Sequence, residues 1–326
     1  MIKDRNIAED AEIALHKITG GLGSPLRNTK KVLYVDGDNG SDNNSGRTVK
    51  AAKSTIQGAV NAATNWDRIY VFPKNVADSD TDPASYAETV IIPVAAEGLQ
   101  IIGVPAGGRT QGGLPQIKKG SGSTALLTVR GMGCGIYNLG FNGASATGGG
   151  ILLDDDGSTK AAFGTVIQNC HFKNCKGSTA TDASTGGAIQ WAATGGAWQV
   201  LIKGNNFYKN VGDIVLKGTS QSVPQDVIIE DNYFSGPAAS VDCNLYLAGG
   251  SGMNGVYVRK NVFPAFPNLS SGANLLYASM GGCVGILAQN HFGTDKTFGA
   301  AGNGGLIPTT VFLSGNWDEG GLIARV

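Results

Sequence analysis

The chain has 326 residues, enough for one large domain or two ordinary ones with a sizeable core. Glycine is the outlier at 50 residues, but no Gly-X-Y period runs through the chain, which excludes a collagen. Lys+Arg and Asp+Glu balance at 25 each, so nothing points to broad nucleic-acid binding, and 41% apolar content argues against disorder.

Residues 6–18 carry Ile7, Ala11, Leu15 and Ile18 at helical spacing, with an Asn6/Glu9 capping box and a Gly20-Gly21 stop. A helix this short needs a partner. With the linker 20–30 it forms a first unit, residues 1–30, ahead of a second unit, 31–326. The second unit opens with a strand at Val32–Val35 and a loop rich in Asp, Asn and Gly. A helix near 54–64 follows, with Ser54 as expected N-cap and Ile56, Ala59, Val60 and Ala63 on one face. Short strands are expected at 68–72, 88–94, 99–104 and 125–129. No apolar run reaches the roughly 18 residues of a membrane-spanning helix, and the amphipathic N-terminus is not a secretory signal.

From residue 136 a repeat takes over: IYNLGF, IQNCHF, IKGNNF, IEDNYF, VRKNVF, LAQNHF and LSGNWD. Its fourth column reads Leu139, Cys170, Asn205, Asn232, Asn261, Asn290 and Asn316, in steps of 26 to 35 residues. Its sixth column is Phe141, Phe172, Phe207, Phe234, Phe263 and Phe292, ending in Asp318. Repeats of this period signal a solenoid or propeller. Short β-branched strands without helices exclude helical solenoids, and a propeller blade needs about 40 residues. The remaining fold is all-β, a single-stranded parallel β-helix. Its coils would stack about 4.8 Å apart, with like side chains above one another. The Phe column is then a buried aromatic ladder, and the Asn column a hydrogen-bonded one. The Asn residues are also expected to take the left-handed conformation at a tight corner.

The stretch from LYVDGDNG through STIQGAV to SYAETVIIP resembles the opening of the pectate-lyase-like superfamily. That resemblance implies a right-handed parallel β-helix with a capping helix, over roughly 31–326. Ile7, Ala11, Ile13, Lys17 and Ile18 resemble a short segment near the start of bacteriophage fibre, spike and other virion proteins. The two together imply a virion surface protein made in the host cytoplasm. They further imply a homotrimer that attaches to other virion proteins through residues 1–30. The chain ends at GGLIARV without a recognisable trimerisation domain, which favours a smaller spike or decoration part over a large tailspike.

Catalytic chemistry is less visible. Two opposed carboxylates for glycoside hydrolysis, or a calcium cluster for a lyase, are not evident. Asp154, Asp155 and Asp156 alternate faces on a strand, which reads as a solvated turn, and the loop 36–46 reads as a polar loop. Cys170, His171 and Cys175 have metal-ligand chemistry, but buried thiols in a stacked core are the favoured reading. No metal or cofactor is therefore expected. His171 and His291 should face outward beside the Phe ladder. Trp191, Trp198 and Tyr208 are candidate sugar-stacking aromatics for a host polysaccharide. The sequence thus favours a non-enzymatic virion spike, fibre or decoration module. A polysaccharide-cleaving tailspike and a cellular carbohydrate-active enzyme or adhesin are the alternatives.

Overall fold

The computed structural model describes residues 31–74, 84–105, 113–157, 162–179, 182–191, 198–217, 223–235, 243–247, 253–264, 276–293, 298–299 and 305–323. The expected helix over 6–18, with Ile7, Ala11, Ile13, Lys17 and Ile18, lies outside these residues.

The described chain winds through three sheets in fixed order. The first has ten strands, from Val32–Val35 to Val311–Ser314. The second includes Gly140–Asn142, His171–Lys173, Asn206–Tyr208 and Tyr233–Phe234. The third includes Val90–Ile92, Leu127–Val129, Ile151–Leu153 and Ile189–Trp191. Pairings are parallel except the last, where Trp317–Asp318 meets Gly321–Leu322. Parallel neighbours linked by a crossover wind right-handed, so the chain is a right-handed parallel β-helix.

Register explains the repeat. Ile136, Ile167, Ile202, Ile229, Val258 and Leu287 pair in sequence across the first sheet, and all are buried. The rings of Phe141, Phe172, Phe207, Phe234, Phe263 and Phe292 stack at centroid spacings of 4.4–5.1 Å, within 14° of parallel. Each is at most 1% exposed. The spacing matches the strand separation, so each coil delivers one ring to one continuous apolar column.

Asn205, Asn232, Asn261, Asn290 and Asn316 lie beside that column, each at most 2% exposed. The Asn232 side-chain oxygen accepts from the Asn205 backbone N–H (2.9 Å) and from Asn205 Nδ2 (3.0 Å). Asn232 Nδ2 donates to the Ile202 carbonyl and to Asn261 Oδ1, both at 3.0 Å. The pattern repeats down to Asn316. At the upper end the Cys170 N–H donates to Asn205 Oδ1, and the column continues as buried Cys170 and Leu139.

Two residues separate each first-sheet strand from the next second-sheet strand, from 138–139 through 315–316. The left-handed residue is the first of the two, not the ladder Asn. Asn138, Asn169, Gly204, Asp231, Lys260, Gln289 and Gly315 have φ between 54° and 65°. Only Gly enters this region without steric cost, while Asn and Asp tolerate it. Bending at this residue frees the next one to turn its amide into the core.

The N-terminal end is closed by a helix at Ile56–Ala62, which packs on the strands Val32–Val35, Arg68–Val71 and Val90–Ile92. Ile56, Ala59 and Val60 are buried beneath it, which covers the open sheet edge. Its N-cap is Thr55 rather than Ser54: Thr55 Oγ1 accepts from the Gly58 N–H at 2.9 Å. Ser54 instead donates its backbone N–H to Asp42. The Glu88 carboxylate accepts from the N–H groups of Ile56 and Gln57, both at 2.9 Å. Burial raises the Glu88 pKa, against the lowering effect of those two bonds. The Tyr86 hydroxyl donates to the Phe72 carbonyl and accepts from the Gly37 N–H. The Tyr86 and Glu88 motif is thus structural: it fastens the capping helix and the first loop to the coils.

Candidate functional site

Connections between the second and third sheets vary widely, from 87–89 to 174–188. Three of them, 119–126, 143–150 and the described part of 174–188, stand along one edge of the third sheet. They enclose a groove of about 500 Å³ on its outer face. Side chains alternate along a strand, so the middle residue of each three-residue strand faces out. In consecutive rungs these are Ile91, Thr128, Leu152 and Gln190. Four rungs extend about 14 Å at ordinary strand spacing.

One wall carries hydroxyls and backbone from the loops, including Ser123, Thr124, Thr147, Ser178 and Thr185. Gln190 holds that wall in place: its Nε2 donates to the Gly148 carbonyl at 2.7 Å, and its Oε1 accepts from the Gly187 N–H at 3.2 Å. Gly148 has φ 104°, and a Cβ there would meet the Ser123 carbonyl oxygen, so this close approach requires glycine. The Arg130 guanidinium and the Asp154 carboxylate also line the groove, joined by an Nε–Oδ2 bond of 3.0 Å. An apolar strip, a row of hydroxyls and an Arg–carboxylate pair form a surface that can bind a polyhydroxylated ligand. A bidentate-capable guanidinium and a carboxylate acceptor match paired hydroxyls.

The three aromatics expected to stack on sugars are not brought together. Trp191 is 6% exposed, because register pairs it with inward-facing Leu153, so it belongs to the core. Trp198 is 43% exposed on the turn into the first sheet, with its ring 5.3 Å from Phe163. Tyr208 lies half-buried on the second sheet, with Lys209 Nζ 5.0 Å from its ring centroid. The groove itself was missed in the sequence, because strand-centre residues such as Thr128 and Leu152 carry no motif of their own.

His171 was expected on the surface but is 5% exposed, and burial together with Lys173 pushes its pKa down to about 4. His291 is half-buried, with its ring 4.5 Å from Trp317. The five cysteines are buried and outside any disulfide, and burial pushes Cys134, Cys170, Cys175 and Cys283 up to about 12. Thiols held protonated are poor metal ligands. Among the described residues no group of three or more His, Cys, Asp or Glu converges on a metal position. In the loop 36–46, Asp36 accepts from the N–H groups of Asp38 and Asn39, and Asp42 accepts from Ser54 and Thr55. Asp155 accepts from the Gly157 N–H in a tight turn, and Asp154 is the groove residue already described.

No protein-family profile matches the chain, and no curated protein matches it in sequence. Solved structures similar to it include the A-module of the mannuronan C-5 epimerase AlgE4 of Azotobacter vinelandii. That pair shares 14% identity over 87% of this chain and 75% of the other, with a TM-score of 0.39. ORF18 of Geobacillus virus E2 shares 11% identity over 88% of this chain and 60% of its own, with a TM-score of 0.38. A GH136 lacto-N-biosidase from Eubacterium ramulus shares 11% identity over 88% and 67%, with a TM-score of 0.35. At this level of likeness none of them bears on what this chain does. The strand register speaks for itself: the chain is a right-handed parallel β-helix with a groove of mixed polar and apolar lining on the outer face of its third sheet.

Proposed function

We propose that the chain is a non-enzymatic virion component, a spike, fibre or capsid decoration module, whose groove receives a saccharide of the host surface. The groove on the third sheet carries the binding half of this reading. It offers hydroxyls, an amide-braced wall, an Arg–Asp pair and a short apolar strip, the mixture that suits a sugar's edges and faces. The virion half rests on the N-terminal segment with Ile7, Ala11, Ile13, Lys17 and Ile18.

Glycan-array binding by the full chain tests the groove. Retention of particular oligosaccharides, reduced at least tenfold by Arg130→Ala and Leu152→Glu, is expected. Equal retention by the variants would remove the groove from the account. New reducing ends or unsaturated sugars after incubation would replace binding by cleavage. Immunogold labelling of particles from a producing culture tests the virion half. Label on the particles is expected with the full chain and its loss on deletion of residues 1–20; unlabelled particles would refute it.

A further inference from the structure

One end of the groove on the third sheet carries its charges. Thr128 and Arg130 lie two residues apart on one coil, and Leu152 and Asp154 two residues apart on the next, so register sets all four on the outer face. The ladder runs one residue past each strand: the Arg130 N–H donates to the Ile92 carbonyl at 3.1 Å, and the Asp154 N–H to the Val129 carbonyl at 2.9 Å. Both charged side chains therefore leave from fixed backbone. They stand opposite the hydroxyl-bearing loops, which precede the same strands.

The pair leaves hydrogen-bonding capacity open. Arg130 Nε donates to Asp154 Oδ2 at 3.0 Å, which occupies the Nε side of the guanidinium. Among the described residues the two Nη groups and Asp154 Oδ1 have no further protein partner. The side chains are 36% and 18% exposed, so both reach the groove. Donors and an acceptor thus stand side by side.

Paired hydroxyls fit this arrangement: one accepts from an Nη–H while its neighbour donates to Oδ1. A carboxylate fits it badly. It can accept from the Nη groups, but it has no proton for Oδ1 and must sit close to the Asp154 charge. Attraction and repulsion fall off alike with distance, so at similar separations the Arg130 and Asp154 contributions nearly cancel. The cost of stripping water from the acid is then left without an offset, whereas a hydroxyl loses far less. Among the described residues that line the groove, Arg130 and Asp154 are the charged ones, so no second cation restores a positive field. Lys217, beside the loop 174–188, donates instead to the Ser184 carbonyl.

We propose that the groove selects neutral saccharides over acidic ones, with Asp154 as the residue that sets the selection. This rests on the saccharide reading of the groove and narrows it. Arg130 supplies hydrogen bonds, Asp154 turns anions away, and the exposed Ile91 with the half-buried Leu152 gives an apolar floor for the C–H face of the ring.

The experiment is an array of matched probes: hexose oligosaccharides beside the same chains of hexuronate, and galactose-terminated chains beside their sialylated forms. The full chain is expected to retain the neutral members at least tenfold more strongly than their acidic counterparts. That binding should change less than about twofold between about 50 and 500 mM salt, because no net charge is neutralised. Asp154→Asn keeps the shape and an oxygen for Arg130 Nε but removes the anion. With unchanged far-UV circular dichroism, it should gain at least tenfold on the acidic members, and the gain should fade with salt. A merely structural role for Asp154 would lower retention of both sets and give no such gain. Stronger wild-type retention of the acidic members would overturn the proposal, as would acidic retention that does not rise in Asp154→Asn. Retention of neither set would overturn the saccharide reading itself, and this inference with it.

Discussion

Asn232→Leu gives the most direct measure of what the amide ladder contributes. Asn232 makes four side-chain hydrogen bonds in a site 1% exposed. Leucine occupies similar volume and makes none of them. The Asn205 N–H and the second Asn205 Nδ2 proton then lose their partner inside the core, while the Ile202 carbonyl keeps its place in the strand ladder. Asn261 Oδ1 loses one donor but keeps the Asn232 backbone N–H at 3.0 Å. Two orphaned groups at roughly 1–3 kcal/mol each, partly offset by about 1–2 kcal/mol from burying the apolar side chain, leave a net loss of about 1–4 kcal/mol. A solenoid can open locally, so global melting alone is a blunt probe. Hydrogen exchange of the 201–208 and 228–234 segments reads the site itself, and protection there should fall at least tenfold. Loss of less than about 1 kcal/mol, with exchange unchanged, would mean that the column is merely packed and that its hydrogen bonds are incidental.

Three further outcomes are expected. Phe234→Ala and Phe263→Ala should each cost about 3–5 kcal/mol by denaturant titration, because each ring is stacked on both sides in a dry column, and an unchanged midpoint would refute the stacking. Asp213 is fully buried between the amides of Asn210 and Asn244, and burial raises its pKa from 3.8 to about 7. A raised acid pKa means stability that is full below about pH 4, declines as pH rises to about 7 and is flat above it. Asp213→Asn should therefore remove that decline, on top of a pH-independent cost for the one acceptor it lacks, so its melting temperature falls less than the wild type's between about pH 4 and pH 7, and parallel pH profiles would refute it. Glu88→Gln leaves one acceptor for two helix N–H groups and should cost about 1–2 kcal/mol, with faster exchange confined to 54–63.

The coil architecture was legible because its repeating residues are the buried ones. Phe207 and Phe234 recur for the same physical reason that their rings touch, and a period is visible wherever one position is copied at every coil. The corner was read at the wrong residue for a related reason. Its left-handed position is filled by Asn138, Asn169, Gly204, Asp231, Lys260, Gln289 and Gly315. The buried Asn beside it is constant and drew the assignment. Trp191 was misplaced because a three-residue strand gives too little alternation to tell its inner face from its outer. His171 stands at an outward strand position between Gly140 and Asn206 of the adjacent rungs and is buried all the same. The connecting loops differ from coil to coil and leave no period to find.

The same contrast explains where binding chemistry can reside on this chain. From residue 138 on, the corner between the first and second sheets is fixed at two residues per coil, and from Asn205 on both are used: one to bend, one to continue the amide ladder. Nothing can be inserted there without breaking a column that runs through five consecutive coils. Among the described residues, the connections into and out of the third sheet carry no ladder of comparable length, and they range from 280–282 to 174–188. Sequence variation therefore falls on the loops flanking the third sheet, where it costs the core little. The groove forms where three such loops, 119–126, 143–150 and 174–188, stand beside one another on adjacent coils. A rigid, repetitive scaffold thus confines variable side chains to one lateral strip. A change of ligand on this fold needs changes in those loops and in the outward residues Ile91, Thr128, Leu152 and Gln190, and none in the ladders.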